Sequence, residues 1–353
     1  MGSLPSRSED SGYSAMRLAL ALLGYFTFVT LVITLSPFDF GWRRLRISTG
    51  VNPTDLVLNV ALFLPIGFLL RSLGATRTRF GWRAVLVAFG FSAAIETAQV
   101  FIPGRYVSPS DIIANTAGAW IGVWLRDSVE RAAFGHPEAV GRLGLDIPVA
   151  GLLYLLVPQL WLSVVGTLDD AWRALPMVLL LLTAASVLND LWNHRGDSGN
   201  RRFEQDTLRR FIPLFALYLL VAALWPPLRP LADWHGEPGI IDRLRDARTM
   251  GMMLMLEQVG GFTLAGYAIA EWRSRHELTL RRDLPVVTLL ALTFATLLEL
   301  TQGFLAGPGA SMTAALLSTG AAIYGAGVYH VARTHVRVLR GNLPQRVSRP
   351  EAA

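Results

Sequence analysis

Long apolar runs separated by short polar segments cover most of the chain. They lie at about 17–36, 55–71, 83–102, 110–126, 147–165, 171–190, 208–226, 250–270, 284–305 and 311–331. Each run approaches the ~20 residues that a helix needs to cross the hydrocarbon core of a bilayer. Open strands would leave backbone groups unpaired in lipid, so the runs predict helices. We therefore expect an all-α, polytopic transmembrane helix bundle of about ten spans.

The composition fits a membrane protein better than a soluble one. Of the 353 residues, 52% are hydrophobic and 16% are charged, whereas soluble domains carry roughly 25% charged residues. The absence of cysteine excludes disulfides, thiolate nucleophiles and thiolate metal sites. A net charge of +6 could suggest nucleic acid. All 32 basic residues are Arg, however, and they sit mostly between the runs, so we expect no nucleic-acid partner.

The Arg distribution predicts the orientation of the chain. If both termini are cytoplasmic, 23 of the 32 Arg residues fall in cytoplasmic segments, as the positive-inside rule favours. We therefore expect a multi-pass protein of the bacterial cytoplasmic membrane with both ends inside. The expected cytoplasmic segments are a polar, Ser-rich tail at 1–16, loops at 128–146 and 193–207, and a second tail at 332–353.

An internal repeat relates the two ends of the chain. With a constant offset of 203, Glu96 aligns with Glu299, and Gln99 aligns with Gln302. An offset of 199 aligns Asn59 with Gln258 further upstream. The repeat predicts two parallel four-helix units, at 17–127 and 208–331, joined by a two-helix connector at 147–192. The second copy has lost charge, since Pro308 stands opposite Arg105, and Ala314 opposite Asp111.

Polar residues of the first copy fall at one depth, toward the outer leaflet of the predicted topology. A carboxylate inside a bilayer needs a partner, water or a proton, and Arg105 is the expected partner of Glu96 or Asp111. Two interpretations stay open for this cluster: a structural lock, or a ligand or headgroup site. Asp111 also fits a helix-capping role after Ser108 and Pro109. The candidate ligand-binding residues are Asn59, Glu96, Gln99, Arg105, Asp111 and Asn115.

Small residues and histidines have simpler interpretations. We expect Gly67, Gly118 and Gly122 to let helices approach closely, because Gly residues four positions apart share a helix face. The scattered histidines form no pair with a carboxylate at helical spacing. We therefore predict neither a metal nor another cofactor.

The combined pattern resembles the VanZ-like family over about residues 17–127. Residues 208–331 look like a degenerate second copy. The resemblance implies an envelope protein whose partners are membrane lipids, a lipid-linked cell-wall precursor or a glycopeptide, because the founding member is associated with low-level teicoplanin resistance. The residues that carry it are Asn59, Phe63, Pro65 and Gly67, then Glu96, Gln99, Phe101, Pro103, Gly104, Arg105, Ser108, Asp111, Asn115, Gly118 and Gly122.

Three classes of function are compatible with these observations. The first is a non-enzymatic protein that binds a headgroup, a cell-wall precursor or an amphiphilic antibiotic at the outer leaflet. The second is an enzyme acting on a lipid-linked phosphate, with Glu96 or Asp111 as the base and Arg105 holding the phosphate. The third is a small-molecule or lipid transporter built from the two halves. We favour the first, because the motif contains no convincing catalytic His or Ser.

The predicted orientation is testable by cysteine labelling in intact cells. The native chain has no cysteine, so each introduced thiol reports one position. A membrane-impermeant reagent should modify Val107→Cys, in the turn expected outside, and should leave Ser8→Cys unmodified until the cells are lysed. Labelling of Ser8→Cys alone in intact cells would reverse the orientation.

Overall fold

The computed structural model describes residues 7–35, 38, 40–42, 47–48, 50, 52–73, 81–135, 146–169, 171–194, 201–224, 231, 233–237, 249–273, 279–305 and 309–342. Ten α-helices form within these ranges, which confirms the all-α bundle. They are α1 (Arg7–Leu35), α2 (Pro53–Leu73), α3 (Trp82–Gln99), α4 (Pro109–Gly135), α5 (Ile147–Asp169), α6 (Ala174–Asn193), α7 (Arg201–Leu224), α8 (Thr249–Arg273), α9 (Leu280–Gln302) and α10 (Met312–Asn342).

Short segments complete the described architecture. A 3-10 turn at Ala171–Arg173 leads into α6. Strands β1 (Gly236–Glu237) and β2 (Ala310–Ser311) pair in parallel, with Gly236 opposite Ala310. A single parallel bridge joins Ile47 to Val107. Gly307 and Pro308, which the sequence aligns with Gly104 and Arg105, lie outside the described residues.

Six stretches are long and apolar enough to cross a membrane. They are Tyr13–Leu35, Pro53–Leu73, Ile147–Thr167, Ala171–Asn193, Arg202–Leu224 and Leu280–Gln302. The stretches lie in α1, α2, α5, α6, α7 and α9, so the chain is a multi-pass membrane protein. The other four described helices, α3, α4, α8 and α10, fall short of this criterion, and their membrane crossing stays a prediction.

Two helices extend beyond the apolar runs. Helix α1 already begins at Arg7, inside the segment expected to be a polar tail. Helix α10 continues to Asn342, beyond the apolar run that ends near residue 331. The expected cytoplasmic segments 1–16, 128–146, 193–207 and 332–353 lie partly outside the described residues.

The first compact unit covers Met1–Pro137 and is built around the pair α2 and α4. Glycines bring the two backbones into contact. A Cβ atom on Gly67 would overlap the carbonyl oxygen of Ala119, and one on Gly122 would overlap that of Leu64. Gly118 meets α2 at Val60 in the same way. Helices α1 and α3 pack against this pair.

The second compact unit covers Glu138–Ala353 and repeats this arrangement in α8 and α10. Gly266 meets the carbonyl oxygen of Ala322, and Gly325 meets that of Thr263. These pairs are equivalent to Gly67–Ala119 and Gly122–Leu64 at the offsets of 199 and 203. Helices α7 and α9 occupy the places of α1 and α3, and α5 and α6 pack within the same unit.

The close approach of α2 and α4 leads to a stability prediction. Gly122→Ala should destabilise the protein by about 1–3 kcal/mol, since the new methyl group must displace the α2 backbone. Gly90→Ala is the matched control, because a Cβ at this helical and exposed position meets nothing within 4 Å. Thermal unfolding in detergent should show a lower midpoint for Gly122→Ala only. Equal midpoints would contradict the inferred contact.

Candidate functional site

The predicted polar residues meet where α3 ends and α4 begins. Glu96 and Gln99 lie on the last turns of α3 and are buried, at 3% and 7% exposure. Arg105 follows in the connecting turn, and Asp111 opens α4. Asp111 lies against Ser108 and Asn59, and it interacts electrostatically with Arg105. The first unit thus brings four of the candidates into one cluster: Asn59, Glu96, Arg105 and Asp111.

Glu96 bonds to the backbone rather than to Arg105. Its Oε2 atom accepts a 2.8 Å hydrogen bond from the N–H of Ser108, immediately before α4. This N–H is one of those that a helix start leaves without an intrahelical partner. The bond therefore ties the end of α3 to the start of α4 inside the protein.

Gln99 and Asn115 also make internal bonds. Gln99 Nε2 donates to the carbonyl oxygen of Thr34, near the end of α1, at 2.9 Å. Asn115 Nδ2 donates to the hydroxyl of Ser92 on α3 at 3.0 Å. Asn115 Oδ1 is buried and accepts no bond from the described part of the chain. Both amides therefore connect helices, which leaves Arg105, Asp111 and Asn59 as the less constrained part of the cluster.

The guanidinium of Arg105 is half-buried and has no hydrogen-bond or ion-pair partner among the described residues. Glu96 and Asp111 are close enough to interact with it electrostatically. Burial lowers the pKa of Arg105 below its ordinary value, and the two carboxylates oppose that change. An Arg fork has five donors in a fixed plane that matches phosphate or carboxylate oxygens.

The second unit keeps the bonds of Glu96 and Gln99 in equivalent form, but Ser318, at the position of Asn115, has a buried hydroxyl without a partner in the described chain. Glu299 accepts a 2.7 Å hydrogen bond from the N–H of Ser311, as Glu96 does from Ser108. Gln302 donates to the carbonyl oxygen of Ala223 near the end of α7, at 3.3 Å. Gln258, at the position of Asn59, donates to Glu299 at 3.0 Å. The backbone scaffold therefore exists without the Arg and Asp.

Sequence reasoning missed a charged group in the second unit. Arg173 forms an ion pair with Glu257, and both side chains are largely buried. Tyr218 donates to Glu257 at 3.1 Å, and Gln159 donates to its backbone carbonyl at 2.5 Å. Glu257 is a carboxylate within the eighth apolar run. A carboxylate within the third run was the sequence feature that identified Glu96. The ion pair connects the start of α6 to α8.

A groove of about 620 Å³ lies at the opposite end of the first unit from Arg105. Trp82, Trp120 and Trp124 line it, together with the Arg71–Asp127 ion pair at 2.6 Å.

The described ranges contain no group of three or more His, Asp or Glu side chains that could hold a metal ion.

The two Glu–Ser bonds lead to a paired prediction. Glu96→Leu and Glu299→Leu should each destabilise the protein by about 1–3 kcal/mol, because each leaves a buried backbone N–H unpaired. Glu96→Gln should lose less, since the amide oxygen can still accept the bond. Thermal unfolding in detergent measures all three. A neutral effect of both Leu substitutions would show that the bonds contribute nothing to stability.

Comparison with known proteins identifies the first part of the chain. The model of the VanZ/LLP1 family matches residues 5–129. No curated protein matches the chain, and no solved structure matches it. The matched segment contains the whole polar cluster and helices α1 to α3, together with most of α4. The chain is therefore a multi-pass membrane protein in which residues 5–129 are similar to the VanZ/LLP1 family.

Proposed function

We propose that the first unit binds the phosphate of a lipid headgroup or of a lipid-linked cell-wall precursor at the outer leaflet. The observation that carries this proposal is Arg105, whose guanidinium is half-buried and without a bonded partner in the described chain. Removing a charged group from water is costly unless it finds an opposite charge. A bound phosphate oxygen supplies that charge and matches the planar Arg fork.

The surrounding residues suit recognition of a headgroup more than bond cleavage. Glu96 already accepts the Ser108 N–H, and Gln99 and Asn115 bond to neighbouring helices. They hold the turn that carries Arg105. Asp111 and Asn59 remain beside it and can accept from, or donate to, hydroxyl and amide groups of a headgroup. In this proposal Arg105 provides affinity, and Asp111 and Asn59 provide selectivity.

The proposed orientation follows from the distribution of Arg along the chain. Both termini are assigned to the cytoplasm, because 23 of 32 Arg residues then lie inside. The turn around Arg105 then faces the outer leaflet of a bacterial cytoplasmic membrane. A cell-wall precursor or an amphiphilic glycopeptide would reach the cluster from this side.

Arg105→Ala tests the proposed site. Losing one set of charge-assisted hydrogen bonds, worth about 1.5–3 kcal/mol, should reduce lipid retention roughly 10- to 100-fold. The unfolding midpoint should change little, since Arg105 forms no ion pair with a described residue. Native mass spectrometry of the purified protein measures retained lipids, and thermal unfolding in detergent measures stability.

Arg83→Ala is the matched control, because Arg83 is an exposed residue at the other end of α3. This variant should keep both lipid retention and stability. If Arg105→Ala lost stability in step with retention, Arg105 would be part of a structural lock. Unchanged retention in Arg105→Ala would remove the basis for the binding site.

A further inference from the structure

A buried carboxyl group of the second unit, away from the Glu299 cluster, has no hydrogen-bond partner among the described residues. Glu271 is on the last turn of α8 and is 2% exposed. Neither of its oxygens accepts a hydrogen bond from a residue that the structure describes. Glu271 follows Gln258, which bonds Glu299, by 13 residues along α8, or about 20 Å of helix. An ionised carboxylate in such surroundings would be strongly disfavoured.

A second carboxyl group adjoins Glu271. Glu204 lies in the first turn of α7, is 8% exposed, and interacts electrostatically with Glu271. Tyr267 lies one turn before Glu271 and interacts with both carboxyl groups. Its hydroxyl already donates to the carbonyl oxygen of Pro148 at 2.6 Å, so its proton is not available to Glu271. Burial disfavours the ionised form of Glu271, and the neighbouring Glu204 carboxyl disfavours it further.

Among the described residues, none forms an ion pair with Glu271. On α9, Asp283 pairs with Arg273 at 3.0 Å and hydrogen-bonds to His330 at 2.8 Å. Arg333, on α10, has a buried Nη1 atom without a partner in the described chain, yet it forms no ion pair with Glu271. Buried ionisable groups on the neighbouring elements include Asp146 before α5, Glu204 on α7, Asp283 on α9, and Tyr329 and His335 on α10.

We propose that Glu271 and Glu204 form a proton-binding site, in which Glu271 is a neutral carboxylic acid at neutral pH. The bound proton forms an O–H bond on Glu271, comes from water, and returns to water when the site opens. Acidic side chains of this kind carry protons in membrane pumps and transporters. The site lies in the second unit and uses none of the residues of the proposed headgroup site. A test of one proposal therefore does not decide the other.

Infrared spectroscopy of the full chain in lipid nanodiscs detects the proton directly. A protonated carboxylic acid has a carbonyl band at higher frequency than a carboxylate, and the band shifts in deuterated water. The difference spectrum between the wild-type protein and Glu271→Gln at pH 7 should contain this band. Asp206→Asn, an exposed acid on α7 with 59% side-chain exposure, is the matched control and should show no such difference. A difference spectrum without the band would overturn the proposal.

The pH dependence of stability gives an independent result. An acid that burial keeps neutral binds its proton more tightly in the folded chain than in the unfolded chain. The stability it contributes is therefore present at low pH and is lost as the pH rises. Relative to Glu271→Gln, the folding constant of the wild-type protein should fall by up to tenfold per pH unit above the range where unfolded Glu titrates. Parallel pH profiles of the two proteins would contradict the proposal.

Two further measurements cover the remaining outcomes. If Glu271→Gln does not fold, Glu204→Gln replaces it: removing the neighbouring carboxyl should let Glu271 release its proton at lower pH, which weakens the acid band at pH 7. An unchanged band in Glu204→Gln would contradict a shared site.

The unfolding midpoint in sodium chloride is also compared with the midpoint in choline chloride at equal ionic strength. A sodium-specific stabilisation that Glu271→Gln abolishes would identify a metal cation as the occupant and overturn the proton assignment.

Discussion

The hydrogen bond from a helix-start N–H to a buried glutamate is the contact on which both four-helix arrangements depend. A helix start exposes unpaired N–H groups and a partial positive charge, and a carboxylate satisfies both. Glu96 meets Ser108 in this way at 2.8 Å, and Glu299 meets Ser311 at 2.7 Å. The bond joins the end of α3 to the start of α4 in the first unit, and the end of α9 to the start of α10 in the second. This explains why the glutamate occurs in both copies although the charges around it do not.

The same scaffold carries different chemistry in the two units. In the first, the fixed turn presents Arg105 and Asp111 beside Asn59. In the second, Gln258 takes the position of Asn59 and bonds to Glu299, while Ala314 stands in place of Asp111. The second unit has ionisable groups at other places, among them the Arg173–Glu257 pair and Glu271 with Glu204. The Glu–Ser bond is present in both units, so it does not depend on the Arg and Asp that only the first unit has.

Close helix packing is the second shared constraint. Without a hydrophobic driving force between helices in lipid, association depends on contact between backbones, which small residues permit. Gly67 and Gly122 make that contact in the first unit, and Gly266 and Gly325 make it in the second. At the position of Gly118 the second unit has Ala321, which is still buried at 9% exposure. Two of the three contacts thus require glycine in both units, and one tolerates a methyl group.

The sequence by itself determined the all-α fold, because apolar runs are local features of the chain and a bilayer admits few structures. The two four-helix copies remain a prediction from the sequence. The sequence also identified which polar residues lie near the turn at Arg105. Their partners came only from the tertiary structure. The sequence suggested Arg105 as the partner of Glu96 or Asp111, whereas the structure bonds Glu96 to the Ser108 N–H.

The structure alone revealed the hydrogen bond between Gln99 and Thr34 and the electrostatic interaction between Glu271 and Glu204. Helical spacing defines the face on which a side chain lies, but not which neighbouring helix or backbone group that face meets. Such partners depend on how several helices pack together, and a single pattern along the chain does not contain that information.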